Sequence, residues 1–207
     1  SRLNETQRFT AARVQALYNT YVTDRCLPPI DNTLNVTVAV VPIDGRSEIL
    51  ARTYANTWTQ NSLGKYVLQN SARIELDIDD VNLWSQSTLS EVLTHELAHC
   101  FGFQAIIWPS NGLTYFGRYV GPKALAAYRQ EYDPFGQFVP TDDSHFDEIF
   151  MPLDLMSPVL NGNYISKTFW GVLEDNGNII SPYVKSGYLA SILPRRPFEI
   201  IIVTTNP

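Results

Sequence analysis

A chain of 207 residues, 44% hydrophobic and 17% charged, is long enough for one core or one core divided by a cleft, and its composition excludes an extended disordered protein. The formal charge of −6 argues against nucleic acid or an anionic membrane surface as principal partner. The longest apolar runs, such as VTVAVVPI and EIIIV, are strand-sized and far short of the ~18 residues of a transmembrane segment.

Residues 5–25 place Phe9, Val14, Leu17, Tyr18 and Tyr21 near helical spacing and predict a first helix, ended by Pro28-Pro29. The valine-rich NVTVAVVPI predicts a strand. ILARTYANTW predicts a second, running into a turn at Asn61-Ser62-Leu63-Gly64. ARIELDI alternates Ile74, Leu76 and Ile78 with Arg73, Glu75 and Asp77, as a strand with one solvated face does. STLSEVLTHELAHCFG is the clearest helix, with Ser87 and Ser90-Glu91 supplying cap chemistry and Gly102 a stop. Residues 104–122 read as an aromatic loop, GPKALAAYRQEY as a helix opened by Pro122, ISKTFWGVLEDNG as a last helix and FEIIIV as a strand. The order predicts a single α/β (α+β) domain over 1–207. Its N-terminal lobe, 1–103, carries the motif helix, and its loop-rich C-terminal lobe spans 104–207.

HELAH places His95 and His99 one helical turn apart on the same face, close enough to share an ion. Glu96 is rotated one residue away, beside such an ion rather than bound to it, where a general base for water belongs. A catalytic zinc takes three protein ligands and leaves one position for water. The chain has three histidines, and using all of them, with His145 in TDDSHFDE, fills that set. Rivals remain among Glu131, Asp133, Asp142, Asp143, Asp147 and Glu148; Glu131 stands on the helix after the motif, where a His-His-Glu site takes its glutamate. Cys26 and Cys100 form one bridge or stand as two separate thiols. Cys100 points about 100° away from His99 on the helix, a packing or disulfide residue rather than a ligand.

HELAHCFG with its glycine, a distant histidine in SHF and a methionine in DLMSP together resemble the metzincin metalloproteases. More narrowly, YVGPKALAAYRQEY, VPTDDSHFDE, FWGVLEDNGN and GKYVLQNSARIELD are similar to the leishmanolysin family, over roughly residues 50–178. In most metzincins the third ligand falls at the position of Ala105; in leishmanolysins an insertion separates it from the glycine. The resemblance implies a two-lobed zincin: a twisted mixed sheet with an antiparallel edge strand, and a zinc-binding helix over the C-terminal lobe. It implies one catalytic zinc on His95, His99 and His145, Glu96 as the base activating a metal-bound water, and Met156 as the turn flooring the site. It further implies an endopeptidase acting on protein or peptide substrates, with ARIELDI as the edge strand that receives them through Ile74, Glu75 and Leu76. With the low lysine content, it favours an extracellular or cell-surface setting. The competing reading is an inactive metzincin-like binding or structural module that keeps its zinc. The chain departs from the family in its two cysteines and its length, so membrane anchoring and a disulfide pattern do not carry over.

The remaining clusters read more plainly. Asp77, Asp79 and Asp80 lack the glycine and final glutamate of a calcium loop, so calcium has no support and a solvated strand end is favoured. Asp142-Asp143 are candidates to orient His145, against a solvated loop. Trp108, Tyr115 and Tyr119 line a cleft or pack the insertion.

Overall fold

A computed structural model describes residues 2–26, 33–61, 64–160 and 163–195. Helix α1 (Glu5–Tyr21) opens with a reciprocal cap, in which Asn4 Oδ1 accepts from the Gln7 amide at 2.8 Å and Gln7 Oε1 accepts from the Asn4 amide at 2.9 Å. It buries Val14, Leu17 and Tyr18. The helix stops with the last of these apolar positions, four residues before the end of the predicted 5–25 stretch. Val22-Thr23, stiff at χ1 and suited to a pleat, leaves it for β1 (Val22–Arg25), which pairs antiparallel with β10 (Asn178–Ile180) near the far end of the chain. Pro28-Pro29, the predicted helix stop, lies outside the described residues.

Three strands form the main sheet in the order β2 (Asn35–Val41), β4 (Val67–Asp77), β3 (Ala51–Gln60). β2 runs parallel to β4 and β3 antiparallel to it, so the sheet is mixed. This order corrects the sequence reading. Residues 72–77 of ARIELDI belong to the central strand β4, not to an edge, while Ile78 opens a short helix. Both sides of the strand are already paired, Ile74 and Leu76 have no solvent exposure, and Glu75 and Asp77, on the face expected to be solvated, are buried as well. Glu75 is held between Arg52 and Arg73, 2.9 Å from each. Ile74, Glu75 and Leu76 therefore cannot take an added substrate strand. The antiparallel edge is β3. Of the predicted turn after it, Ser62 and Leu63 lie outside the described residues.

The DIDD stretch is not a solvated strand end either. Asp77 caps the short helix α2 (Ile78–Val81), accepting from the Asp79 amide at 3.0 Å and from Asp44 at 3.1 Å, while Asp80 accepts from the Ser47 amide at 3.0 Å. These bonds tie the 44–49 loop over the end of β4, and both carboxylates are buried as a result.

Helix α3 (Gln86–Phe101) carries the HELAH motif and packs on α1. Tyr18 stacks on Phe101 with ring centroids 4.8 Å apart and donates its hydroxyl to the Thr94 carbonyl at 2.5 Å. Its cap is Ser85, which accepts from the Thr88 amide at 3.1 Å, rather than the predicted Ser87. Beyond it the chain forms the hairpin β5–β6 (Thr114–Tyr115, Arg118–Tyr119), helix α4 (Pro122–Glu131) and the hairpin β7–β8 (Thr141–Asp142, His145–Phe146). β9 (Tyr164–Ile165) pairs with β11 (Gly187–Tyr188). Helix α5 (Lys167–Asp175) follows β9, and α6 (Leu189–Ile192) ends the described chain; the predicted FEIIIV strand lies outside it. Among the described residues the architecture is mixed α/β with several small sheets and no barrel.

α4 and α5 cap each other. Asp175, at the end of α5, accepts from the Lys123 and Ala124 amides at the start of α4 at 2.8 and 3.1 Å, and from the Tyr119 hydroxyl at 2.9 Å. Glu131, at the end of α4, accepts from the Lys167 and Thr168 amides at the start of α5 at 2.9 and 2.8 Å, and from the Thr168 hydroxyl at 2.8 Å. Each carboxylate meets the positive end of the other helix's dipole. Gly121 and Gly171 permit the approach: a Cβ on Gly121 would fall 2.2 Å from Asp175 Oδ2, and one on Gly171 2.7 Å from the Ala124 backbone. One apolar core joins this pair to α1, α3 and the main sheet.

Candidate metal centre

His95 and His99 share one face of α3, and their Nε2 atoms lie 3.3 Å apart. His145 enters from β8 and brings its Nε2 to 3.2 Å from that of His95. An ion bonded tetrahedrally to nitrogens at about 2.0–2.1 Å holds them about 3.3–3.4 Å apart, which these separations match. Among the described residues this is the group of three or more His, Cys, Asp or Glu side chains whose ligand atoms all lie within 4.8 Å of one another, and it could hold a metal ion.

The backbone sets the rings' chemistry. His95 Nδ1 lies 2.8 Å from the Leu155 carbonyl and His99 Nδ1 lies 2.7 Å from the Phe103 carbonyl. A carbonyl only accepts, so both Nδ1 atoms carry the proton and both Nε2 atoms present lone pairs to the common centre. Lone pairs facing one another at that distance repel unless a cation lies between them. Burial, reinforced by the charges of His95 and His145, holds His99 well below the ordinary histidine pKa. Burial, then the charge of His95, lowers His145 to about 4. Burial thus favours the uncharged ring at both positions, the form that can bind a metal ion.

The sequence around Gly102 explains the His99 contact. The chain must reverse at once after α3 for the Phe103 carbonyl to reach back to His99. Gly102 makes the reversal against Asn176, whose Cβ would lie 3.0 Å from any added methyl. The next residues dock the insertion: the Ala105 amide donates to Ser144 Oγ at 2.9 Å, across 39 positions, which sets His145 beside the helical pair. Asp143 takes φ 52° in the tight turn of this hairpin. Among the described residues neither Asp142 nor Asp143 bonds the His145 ring.

Glu96 lies on α3 next to the triad, 7% exposed. Burial raises its pKa above the ordinary carboxylate value, against the lowering influence of His95 and of a hydrogen bond from Thr53. Met156 is fully buried; its carbonyl accepts from the amide of Phe146, the neighbour of His145, at 2.9 Å, and its neighbour Leu155 holds His95. The rival ligand Glu131 is committed to capping α5. Trp108 and Tyr119 are buried and meet edge to face at 4.9 Å, so they pack the insertion, while Tyr115 is exposed. Cys26 and Cys100 are free thiols, not a bridge. A cavity of about 480 Å³ lined by Tyr18, Val38, Ile74, Leu93 and Leu97 lies on the face of α3 turned away from the histidines, apart from this centre. What sequence reasoning missed is Thr53, whose hydroxyl reaches Glu96 from β3; no local pattern marks it, because strand order brings it there. No protein-family model and no curated protein matches the chain.

Proposed function

We propose that this chain is a zinc-dependent endopeptidase of the metzincin type, similar to the leishmanolysins. The observation that carries the reading is the convergence of three imidazole Nε2 atoms, at tetrahedral spacing, beside a buried carboxylate that is not a ligand. His95, His99 and His145 would hold the ion. The donor set fits zinc, and three protein ligands instead of four suit a catalytic rather than a structural site. Bound zinc supplies a Lewis acid that acidifies water and polarises the scissile carbonyl. Glu96 takes the proton of the attacking water and delivers it to the leaving amine; burial raises its affinity for that proton above that of an ordinary carboxylate. Met156 forms the apolar floor beneath the rings. The substrate lies extended along β3, the edge strand of the main sheet among the described residues, adding a strand to it, in a cleft between the N-terminal and C-terminal lobes. Substrates are proteins or peptides met in an extracellular or cell-surface setting.

Casein digestion with and without a chelator tests the reading, together with Glu96→Gln. The expected outcome is chelator-sensitive internal cleavage by the wild type, and a Gln variant that keeps its zinc while losing nearly all activity. An unreduced rate in the Gln variant overturns the mechanism.

A further inference from the structure

β3 and α3 meet at one polar contact. Thr53 pairs in register with Ile74 of the central strand, and its side chain turns towards α3, while Arg52 reaches Glu75 and lies over the Tyr54 ring. The Thr53 hydroxyl donates to Glu96 Oε2. It also lies 3.3 Å from the Glu96 backbone carbonyl, but it has one proton and the carboxylate contact is the shorter. Among the described residues no other side chain donates to this carboxylate, and no lysine or arginine pairs with it.

We propose that Thr53 is the positioning residue of Glu96: its hydroxyl fixes one carboxylate oxygen to the edge strand, leaving the other to face the attacking water. This rests on the peptidase reading and deepens it. A carboxylate anchored at one oxygen has lost rotation about its last bond, so the free oxygen is aimed before substrate arrives. Because the anchor stands on the strand that would receive the peptide, the base and the substrate backbone share one rigid frame. A substrate that pairs with β3 is thereby placed relative to Glu96 as well as to the metal.

The test uses the full zinc-loaded chain, an internally quenched peptide spanning a casein cut, and Thr53→Val and Thr53→Ser. Thr53→Val keeps the shape of the side chain and removes the donor; its kcat should fall about 10- to 100-fold with KM within about twofold and zinc content unchanged. Thr53→Ser, which keeps the hydroxyl, should recover most of that loss. A Val variant with wild-type kcat, or a Ser variant as slow as Val, overturns the proposal while leaving the peptidase reading intact. A wild type that retains zinc and cuts no peptide overturns the peptidase reading and this role together. A second readout needs no activity: in a denaturant double-mutant cycle of Thr53→Val with Glu96→Ala, the pair should be coupled by about fivefold or more in the unfolding constant, and additive effects overturn the contact itself.

Discussion

The α4–α5 pair and the end of α3 hold carboxylates in opposite ways. Glu131 and Asp175 each accept from two backbone amides and a hydroxyl, donors fixed by helix starts that need an acceptor in any case. Glu96 accepts from one threonine hydroxyl and has an oxygen to spare beside the three-histidine group. A carboxylate whose acceptor sites are filled by backbone is part of the scaffold; one left short of donors, in a buried place, is available for proton transfer. Asp154 is intermediate. It accepts from the Met156 amide at 2.9 Å and from the Ser166 hydroxyl at 2.5 Å, and burial still drives its pKa up to about 7.

Exchanging carboxylate for amide on the two sides breaks this contrast most sharply. Glu96→Gln should lower kcat by about 10²–10⁴, whereas Glu131→Gln should leave cleavage per bound zinc unchanged, measured on the same casein substrate. Ligand loss sharpens it next. His145→Ala should weaken zinc binding, in competition with a chromophoric chelator, by more than the roughly 10- to 100-fold that loss of an outer-shell partner costs. Glu131→Ala should leave zinc affinity alone; a reversed result would return Glu131 to the ligand set.

Asp154 supplies the pH dependence. Its folded pKa lies above the unfolded one, so between about pH 4 and 7 the native state holds a proton that the unfolded chain has released. Its contribution is therefore fully present in acid and declines as pH rises through that window, by at most about 4 kcal/mol. Asp154→Asn resembles the protonated acid and should flatten this part of the stability–pH curve in denaturant titrations. On the scaffold side, Asp175→Ala strands the Lys123 and Ala124 amides and the Tyr119 hydroxyl in a buried site and should cost about 3 kcal/mol. Glu131→Ala faces a more exposed cap and should cost about 1 kcal/mol. Both are read as denaturant midpoints with zinc held constant.

Much of the site was legible from the chain because its rules are local. The four-residue spacing of His95 and His99 is a helical turn, and Gly102 follows where that helix must stop. His145 stood out because the chain has so few imidazoles to offer, not because anything beside it marks a ligand. Apart from the cap of α3, which falls at Ser85 and not Ser87, the errors come from contacts distant in sequence. Alternation in ARIELDI correctly signals a strand, but which strands flank it depends on β2 and β3, so periodicity could not separate the middle of a sheet from its edge. Val22–Arg25 lies within the stretch read as the first helix, with no breaker before Pro28, yet its backbone is claimed by β10. Asp77 and Asp80 look solvated until the 44–49 loop closes on them. Glu131 looks like a ligand on a suitable helix until the start of α5 takes its oxygens.

The bond between Ala105 and Ser144 has a further effect. It closes the excursion at its base, so the address of the third imidazole is given by a junction in space and not by a count of intervening positions. Material could be added to or trimmed from an exposed tip such as Tyr115-Phe116 without shifting His145, which leaves that tip free to diversify while the histidine cluster stays constant.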